Sequence, residues 1–318
     1  MIQIDILLAT FNGETFLREQ WDSLLGQSYT NWRLIIRDDG SSDHSVEMIR
    51  EFKRQNPEKI LFDDEDCQSK GACGNFSCLL GKSTSDYIML CDQDDVWRPD
   101  KVSKTIELMK SIEQKYGHDK PILIHTDLRI VDEQLQPIFS SLLKYQHLSP
   151  HSGSQMHRLL TQNIATGCTM MINRPLLKLA TPIPKKAIMH DWWLALIAAL
   201  FGKISFLDES TILYRQHHKN CVGAKRWGIG RMVFQIQHFE AACKAMLHTM
   251  EQAKAILELY RDQIPPAMHA MINAYADLPR MSKMNRIKTV FKYRFFRQGM
   301  LRTAGFLVCL TMLSRSRH

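Results

Sequence analysis

The 318-residue chain has no Gly-x-Gly-x-x-Gly turn after its first apolar run and no phosphate loop ending in Gly-Lys-Ser/Thr. Those absences argue against a dinucleotide oxidoreductase and against a P-loop nucleotidase. Its eight cysteines include no Cys-x-x-Cys pair. Cys91, Cys168 and Cys309 lie in apolar runs, where a free thiol behaves as a small hydrophobe. Reduced thiols and no disulfide framework are expected. No charged-then-apolar export signal stands before the first strand-like run, so a cytosolic protein is expected. The apolar run at 190–201 is too short to span a bilayer and reads as a core helix. The positive charge is spread unevenly along the chain. Residues 278–318 carry ten Lys and Arg and no Asp or Glu, while the whole chain has a formal charge of +8. The body is therefore close to neutral, which argues against a nucleic-acid binder.

What is present reads as alternating strands and helices. Residues 2–9 form a strand by composition, followed by a Thr10-Phe11-Asn12-Gly13 turn. Phe16, Leu17, Trp21, Leu24 and Leu25 recur at helical spacing. A second strand at 32–37 ends in Asp38-Asp39-Gly40-Ser41-Ser42-Asp43, and a helix marked by Val46, Ile49 and Phe52 follows. Short strands are expected at 60–62 and 122–125, the latter leading into a hairpin, and further strands at 166–172, 204–207 and 211–214. Helices are expected at 75–81 and through Val102, Ile106 and Met109, and a loop at 140–160. This order predicts an α/β fold with a mostly parallel, Rossmann-like sheet. Beyond residue 225 the pattern becomes helical: Ile236, Phe239, Cys243, Met246, Met250, Leu257 and Tyr260 fall at three- and four-residue steps. The domains are set at 1–224 and 225–318. From about 278 the segment is basic and amphipathic, the composition of a membrane-surface helix.

The most telling stretch is the apolar run Tyr87-Ile88-Met89-Leu90-Cys91, which ends in Asp92-Gln93-Asp94-Asp95. An unalternating run is what a strand buried on both faces looks like. Carboxylates this close raise one another's pKa unless a cation or donors hold them. Mg2+ or Mn2+ suits such oxygens and keeps sites for phosphate. In parallel sheets ligands bind at strand carboxyl ends, so Thr10–Asn12, Asp38–Asp39 and Asp92–Asp94 are expected to line one crevice.

Leu8-Ala9-Thr10-Phe11-Asn12-Gly13-Glu14, Arg37-Asp38-Asp39-Gly40-Ser41-Ser42-Asp43 and Cys91-Asp92-Gln93-Asp94-Asp95-Val96-Trp97 resemble the family 2 glycosyltransferases, which have the GT-A fold. His125-Thr126-Asp127-Leu128, the helix start at Asp191 and Tyr214-Arg215-Gln216-His217 fit the same pattern, so that the resemblance covers roughly residues 1–220. The Asp-Gln-Asp-Asp-Val-Trp and Tyr-Arg-Gln-His forms look most like the bacterial rhamnosyltransferase branch. The resemblance implies an inverting transfer from a nucleotide sugar, dTDP-L-rhamnose, to a lipid-linked surface glycan at the cytoplasmic face of the membrane. It implies that Asp39 accepts from the base, with Thr10, Phe11, Asn12 and Glu14 in the same pocket. Asp92 is expected on the ribose, Asp94 and His217 on a divalent metal (Mg2+ or Mn2+), with the adjacent His218 the alternative to His217, and Arg215 on the diphosphate. Asp191 is expected as general base. The family often has Glu-Asp at that position, where this chain has His190-Asp191. The alternatives are another donor such as a UDP-hexose, or a sugar nucleotidyltransferase. The latter should carry a Gly-rich loop with a basic residue near the first strand, and Phe11-Asn12-Gly13-Glu14 has none.

Overall fold

The structure is a computed structural model and describes residues 2–63, 70–218 and 239–313. The chain divides into two compact units. Met1–Leu142, Ala165–Ile183 and Met189–Ala224 form one; Leu143–Ile164, Pro184–Ile188 and Lys225–His318 form the other.

The first unit is α/β. Its strands are β1 (Ile4–Thr10), β2 (Trp32–Asp38), β3 (Ile60–Asp63), β4 (Tyr87–Asp92), β5 (Val96–Trp97), β6 (Ile122–Val131), β7 (Pro137–Phe139), β8 (Met170–Asn173) and β9 (Lys203–Arg215). Among the described residues they make one nine-stranded sheet in the order β3-β2-β1-β4-β8-β6-β9-β5, with β7 paired to β6. From β3 to β4 every pairing is parallel. β8 then enters antiparallel to both β4 and β6, and β9 runs parallel to β6.

Parallel strands need crossover connections, and these are α1 (Leu17–Leu25), α2 (Ser45–Gln55) and α3 (Gly71–Lys82). Helix α4 (Lys101–Tyr116) follows β5. In α1 the buried Leu17, Gln20, Trp21 and Leu24 form one stripe, and Trp21 stacks on Phe52 of α2 with ring centroids 5.3 Å apart. With helices on the faces, β1 and β4 have no solvent side. Ile88, Met89 and Leu90 are each fully buried, and each such side chain contributes roughly 1.5–3 kcal/mol. Parallel register also aligns strand ends: Thr10 lies beside Asp38, and Ala9 beside Asp92.

Several expectations change in detail. β6 is one ten-residue strand rather than a four-residue one, and the expected hairpin follows it, pairing β6 with β7 antiparallel. β6 keeps pairing with β9 through register shifts around Asp127, whose side chain accepts hydrogen bonds from Leu128 N–H and the Ser141 hydroxyl. The strands expected at 204–207 and 211–214 are likewise one, β9, which continues through the polar Asp208-Glu209-Ser210. Residues 167–169 form a 3-10 turn, and the strand begins only at Met170.

The second unit is helical. The stretch read as loop holds one-turn helices at Pro150–Gly153 and Met156–Leu159, too short to show a period. In the helix Phe239–Tyr260 the expected Met246, Met250 and Tyr260 are buried, together with Ala253 and Ile256, while Phe239, Cys243 and Leu257 are half-buried; Ile236 lies outside the described residues. It is followed by helices Pro266–Ala276, Lys283–Tyr293 and Met300–Met312. Arg286 of the basic segment is buried here. Its guanidinium donates to the carbonyls of Leu278, Pro279, Leu310 and Leu313 at 2.7–2.9 Å, satisfying the carboxyl end of the last helix. No helix among the described residues is long and apolar enough to cross a membrane.

Candidate active site

The loops after β1, β2 and β4 are tied together at the carboxyl edge of the sheet. Thr10 Oγ1 donates to Asp38 Oδ1 at 2.9 Å, and Asp38 also accepts from the Gly40 and Ser41 N–H groups. Asp38 is therefore the turn-former. Asn12, in the left-handed region at φ 48°, accepts from Ser42 N–H and donates its own N–H to Ser41 Oγ. Glu14 is turned onto His44, accepting from its backbone and ring. Gln93 clamps the Phe11 backbone: its amide accepts from Phe11 N–H and donates to Phe11 O, both at 2.8 Å. A Cβ on Gly13 would sit 2.3 Å from the Gln93 Oε1, so a larger residue there would have to displace the Gln93 amide from its clamp. The Phe11 side chain itself is exposed.

Asp39 is buried and accepts from Arg37 Nη1 at 2.9 Å and from the Lys70 and Gly71 N–H groups at 2.8 Å each. It thus holds the entry to α3, with its N–H returned to Thr10 O.

The acids after β4 are short of donors. Burial, followed by the charges of Asp94 and Asp191, pushes the Asp92 carboxyl up to about 7. Asp95 is wholly buried and neither oxygen makes a well-formed hydrogen bond. Burial and the charges of Asp94 and Asp92 hold it well above the usual carboxylate range, which the nearby Cys168 thiol and Arg215 backbone N–H only partly offset. Donor atoms of Asp92, Asp95 and Cys168 lie within 4.8 Å of one another. Behind them Lys101 is buried with its Nζ 4.5 Å from the Trp97 ring centroid. Burial lowers it to about 8 against the pull of Cys168, Cys91 and Asp95.

β9 delivers the remaining groups. His217 Nε2 lies 2.8 Å from Asp94 Oδ2, with its ring 4.8 Å from that of Phe16. His218 points outward and is 80% exposed. The two metal candidates are therefore neighbours, and His217 is the inward histidine. Arg215 is fully buried, with its guanidinium on the Asp94 carbonyl at 3.1 Å, the Glu133 carbonyl and the Glu19 carboxylate. All three contacts belong to the scaffold, so in this structure Arg215 fixes the loop that carries Asp94.

Asp191 opens the helix His190–Phe201, and its charge is felt by both Asp92 and Cys73 of α3. The backbone of Gly167 passes beside it: a Cβ there would sit 3.6 Å from the Asp191 Cβ and 2.9 Å from His190 Nε2. His190 is stacked on Phe76 at 4.0 Å, and burial pushes its imidazole down to about 3, so the ring is neutral. Trp97 and Trp193, like Trp21 and Trp32, are core residues; Trp193 Nε1 donates to Ala180 O.

Thus Asp92, Asp94, Asp191 and His217 converge, while Asp39, Asn12, Glu14 and Arg215 build the loops around them. Lys101 and Gln93 were given no role from the sequence, and Cys168 was read only as a small hydrophobe. Lys101 had a signal, since it precedes Thr105 and Met109 at four-residue steps on the inward face of α4. The carboxylates and imidazole fit a divalent cation. Buried Asp95 oxygens without good partners and a raised Asp92 are what a site made for positive charge shows.

The fold and this acid-lined strand edge define a glycosyltransferase. The chain belongs to glycosyl transferase family 2, whose family model matches residues 5–178. It is similar to the dTDP-rhamnosyl transferase RfbG of Shigella flexneri, 28% identical over 68% of this chain and 74% of that one. An uncharacterized glycosyltransferase of Nostoc sp. is 26% identical over 69% of this chain and 66% of its own length. Among solved structures, Staphylococcus aureus TarS residues 1–349 with UDP-GlcNAc superposes with a TM-score of 0.58 at 14% identity, covering 92% of this chain and 80% of that one. A Pyrobaculum calidifontis mannosyltransferase with GDP-Man and Mn2+ gives 0.53, also at 14% identity, over 96% and 78%. These likenesses carry the fold alone.

Proposed function

We propose that the protein is an inverting, metal-dependent transferase that moves L-rhamnose from dTDP-L-rhamnose to a lipid-linked surface glycan. The observation that carries the reading is the neighbouring Asp94 carboxylate and His217 imidazole at one mouth with Asp92 and Asp191. The nucleotide sugars in the TarS and mannosyltransferase structures support a nucleotide-sugar donor, and the named activity of RfbG supports rhamnose.

Asp94 and His217 would hold Mg2+ or Mn2+, which supplies positive charge to the diphosphate leaving group. Asp92 takes the ribose. Asp39 faces the base, in a pocket whose wall includes Thr10, Phe11, Asn12 and Glu14. Arg215 keeps the Asp94 loop in place and lends its charge to the diphosphate side. Asp191, at the helix start beside Gly167, takes the acceptor hydroxyl proton as that oxygen attacks the anomeric carbon and the carbon–diphosphate bond breaks. Gly167 lets the acceptor come close.

In the working arrangement the protein is peripheral on the cytoplasmic face of the membrane. The basic segment from about residue 278 provides attraction to anionic lipid, and Met284, Phe291, Met300 and Val308 are exposed apolar side chains on its helices. A screen of nucleotide sugars with membrane extract tests the reading. Sugar transfer from dTDP-L-rhamnose, abolished by chelator, is expected; transfer from a UDP-hexose alone would overturn the choice of donor.

A further inference from the structure

The helical unit contains an open groove of about 450 Å³. Phe296, Met300, Ala304 and Leu307 give it apolar walls, and Arg158 and Arg297 sit among them. The cations here are crowded. Burial and then the positive charges of Arg158 and Arg294 push the His157 imidazole down. Burial also lowers the Arg297 guanidinium. What these arginines touch is neutral. Arg158 Nη1 donates to the Phe296 and Arg297 carbonyls at 3.2 and 3.4 Å, Arg297 Nε donates to Thr161 O at 3.2 Å, and Arg158 Nε is buried with no acceptor. Among the described residues no carboxylate pairs with Arg158, Arg294 or Arg297, and the sequence offers no Asp or Glu anywhere in 278–318.

Like charges held together without a counter-charge repel, and burial strengthens the repulsion. An anion would relieve it. The surroundings narrow its chemistry: Met300 is 90% exposed and Leu301 46% exposed at the start of the helix Met300–Met312. An anion without an apolar part would leave these side chains in water. Guanidinium groups beside exposed apolar side chains suit a phosphate carried on a hydrocarbon chain.

We propose that this groove binds the phosphate headgroup of a membrane lipid. Arg158 and Arg297, which line the groove, would hold the phosphate, with Arg294 adding charge from nearby, while Phe296, Met300 and Leu307 lie against the hydrocarbon. The inference rests on the reading of the protein as a membrane-surface transferase. It adds a defined lipid site to what would otherwise be diffuse attraction by a basic segment.

The test is sedimentation of the full chain with phosphatidylcholine vesicles, with and without phosphatidic acid. Binding is expected only with phosphatidic acid. It should weaken roughly five-fold for each cation removed, Arg294→Asn and Arg297→Gln. Asn suits the left-handed conformation of Arg294, φ 57°, so that variant keeps the fold. Met300→Glu, at an exposed position, should weaken binding at least as much. Equal binding to neutral vesicles would overturn the site, as would wild-type binding by both Arg297→Gln and Met300→Glu. Displacement by excess inorganic phosphate alone would point to a free-phosphate site instead and would also overturn it. Thermal stabilisation by dTDP with Mn2+, measured on the same preparations, reports on the α/β unit. If that shift persists while vesicle binding fails, only the lipid site falls. If vesicle binding persists without the shift, the transferase reading falls.

Discussion

The two ends of one parallel sheet treat the same side chain in opposite ways. At the start of β1, Asp5 is fully buried and its carboxylate accepts from Arg33 Nε and Nη2, both at 3.1 Å. The Ser83 and Ser85 hydroxyls and the Thr84 and Ser85 N–H groups complete its shell. Burial pulls the Asp5 pKa upward, but these donors together outweigh it, and the group lies below its ordinary 3.8. At the end of β4, Asp92 and Asp95 have no such shell, and burial and mutual repulsion raise both. A saturated acid stabilises the fold. A donor-poor cluster destabilises it until a cation or ligand arrives, which is how a site differs from a staple.

Mutations at the two ends should separate chemistry from stability. The largest effect is expected at the mouth. Asp191→Ala should lower transfer by about a hundred- to ten-thousand-fold and still bind donor, and Asp94→Ala should lose both transfer and metal-dependent donor binding. Initial-rate assays beside equilibrium binding would show the split. Turnover retained by Asp191→Ala would remove it as the base. Next comes the opposite end. Asp5→Ala leaves Arg33 and several buried donors unsatisfied and should cost about 2 kcal/mol in urea unfolding, with the rate per folded molecule unchanged.

Asp92→Asn should do the reverse. In chelator it removes a carboxylate that repels its neighbours, so the melting temperature should hold or rise by about 2 °C, while transfer is lost. A clear drop in stability would mean that Asp92 is a staple as well. The smallest effect is the pH profile in chelator. Asp5, lowered in the fold, contributes stability that is complete above 3.8 and is lost as pH falls through its folded value. Asp92, raised in the fold, keeps its proton after the unfolded chain has lost it. Its contribution therefore declines as pH rises from 3.8 through about 7. Asp5→Ala and Asp92→Asn should each flatten a different limb of the wild-type stability curve.

Much of this was legible before the structure. The β4 run is buried on both faces, so unbroken hydrophobicity marks it, and shorter apolar stretches at 6–9 and 34–36 mark β1 and β2; parallel pairing then brings Thr10, Asp38 and Asp92 to one edge. The inward turn of His217 was not legible, because a histidine pair at a strand end has no period to choose between its members. β9 was split in two because Asp208-Glu209-Ser210 interrupts its apolar pattern, and pairing with β6 carries the strand through. The burial of Lys101 and Asp95 was not legible either. Their burial depends on β4 and on the 3-10 turn at Cys168, contacts remote in sequence. Arg286 read as one more basic residue of a surface helix, whereas it fastens the end of the last helix from within.

The central claim is that strand ends from separate parts of the chain share one cation and one nucleoside diphosphate. Calorimetric titration of dTDP with Mn2+ into the wild type, Asp94→Ala and His217→Gln tests it most directly. The account predicts binding by the wild type that chelator abolishes, no metal-dependent binding by Asp94→Ala, and weakened binding by His217→Gln. Equal affinity in all three proteins, or affinity indifferent to chelator, would contradict it.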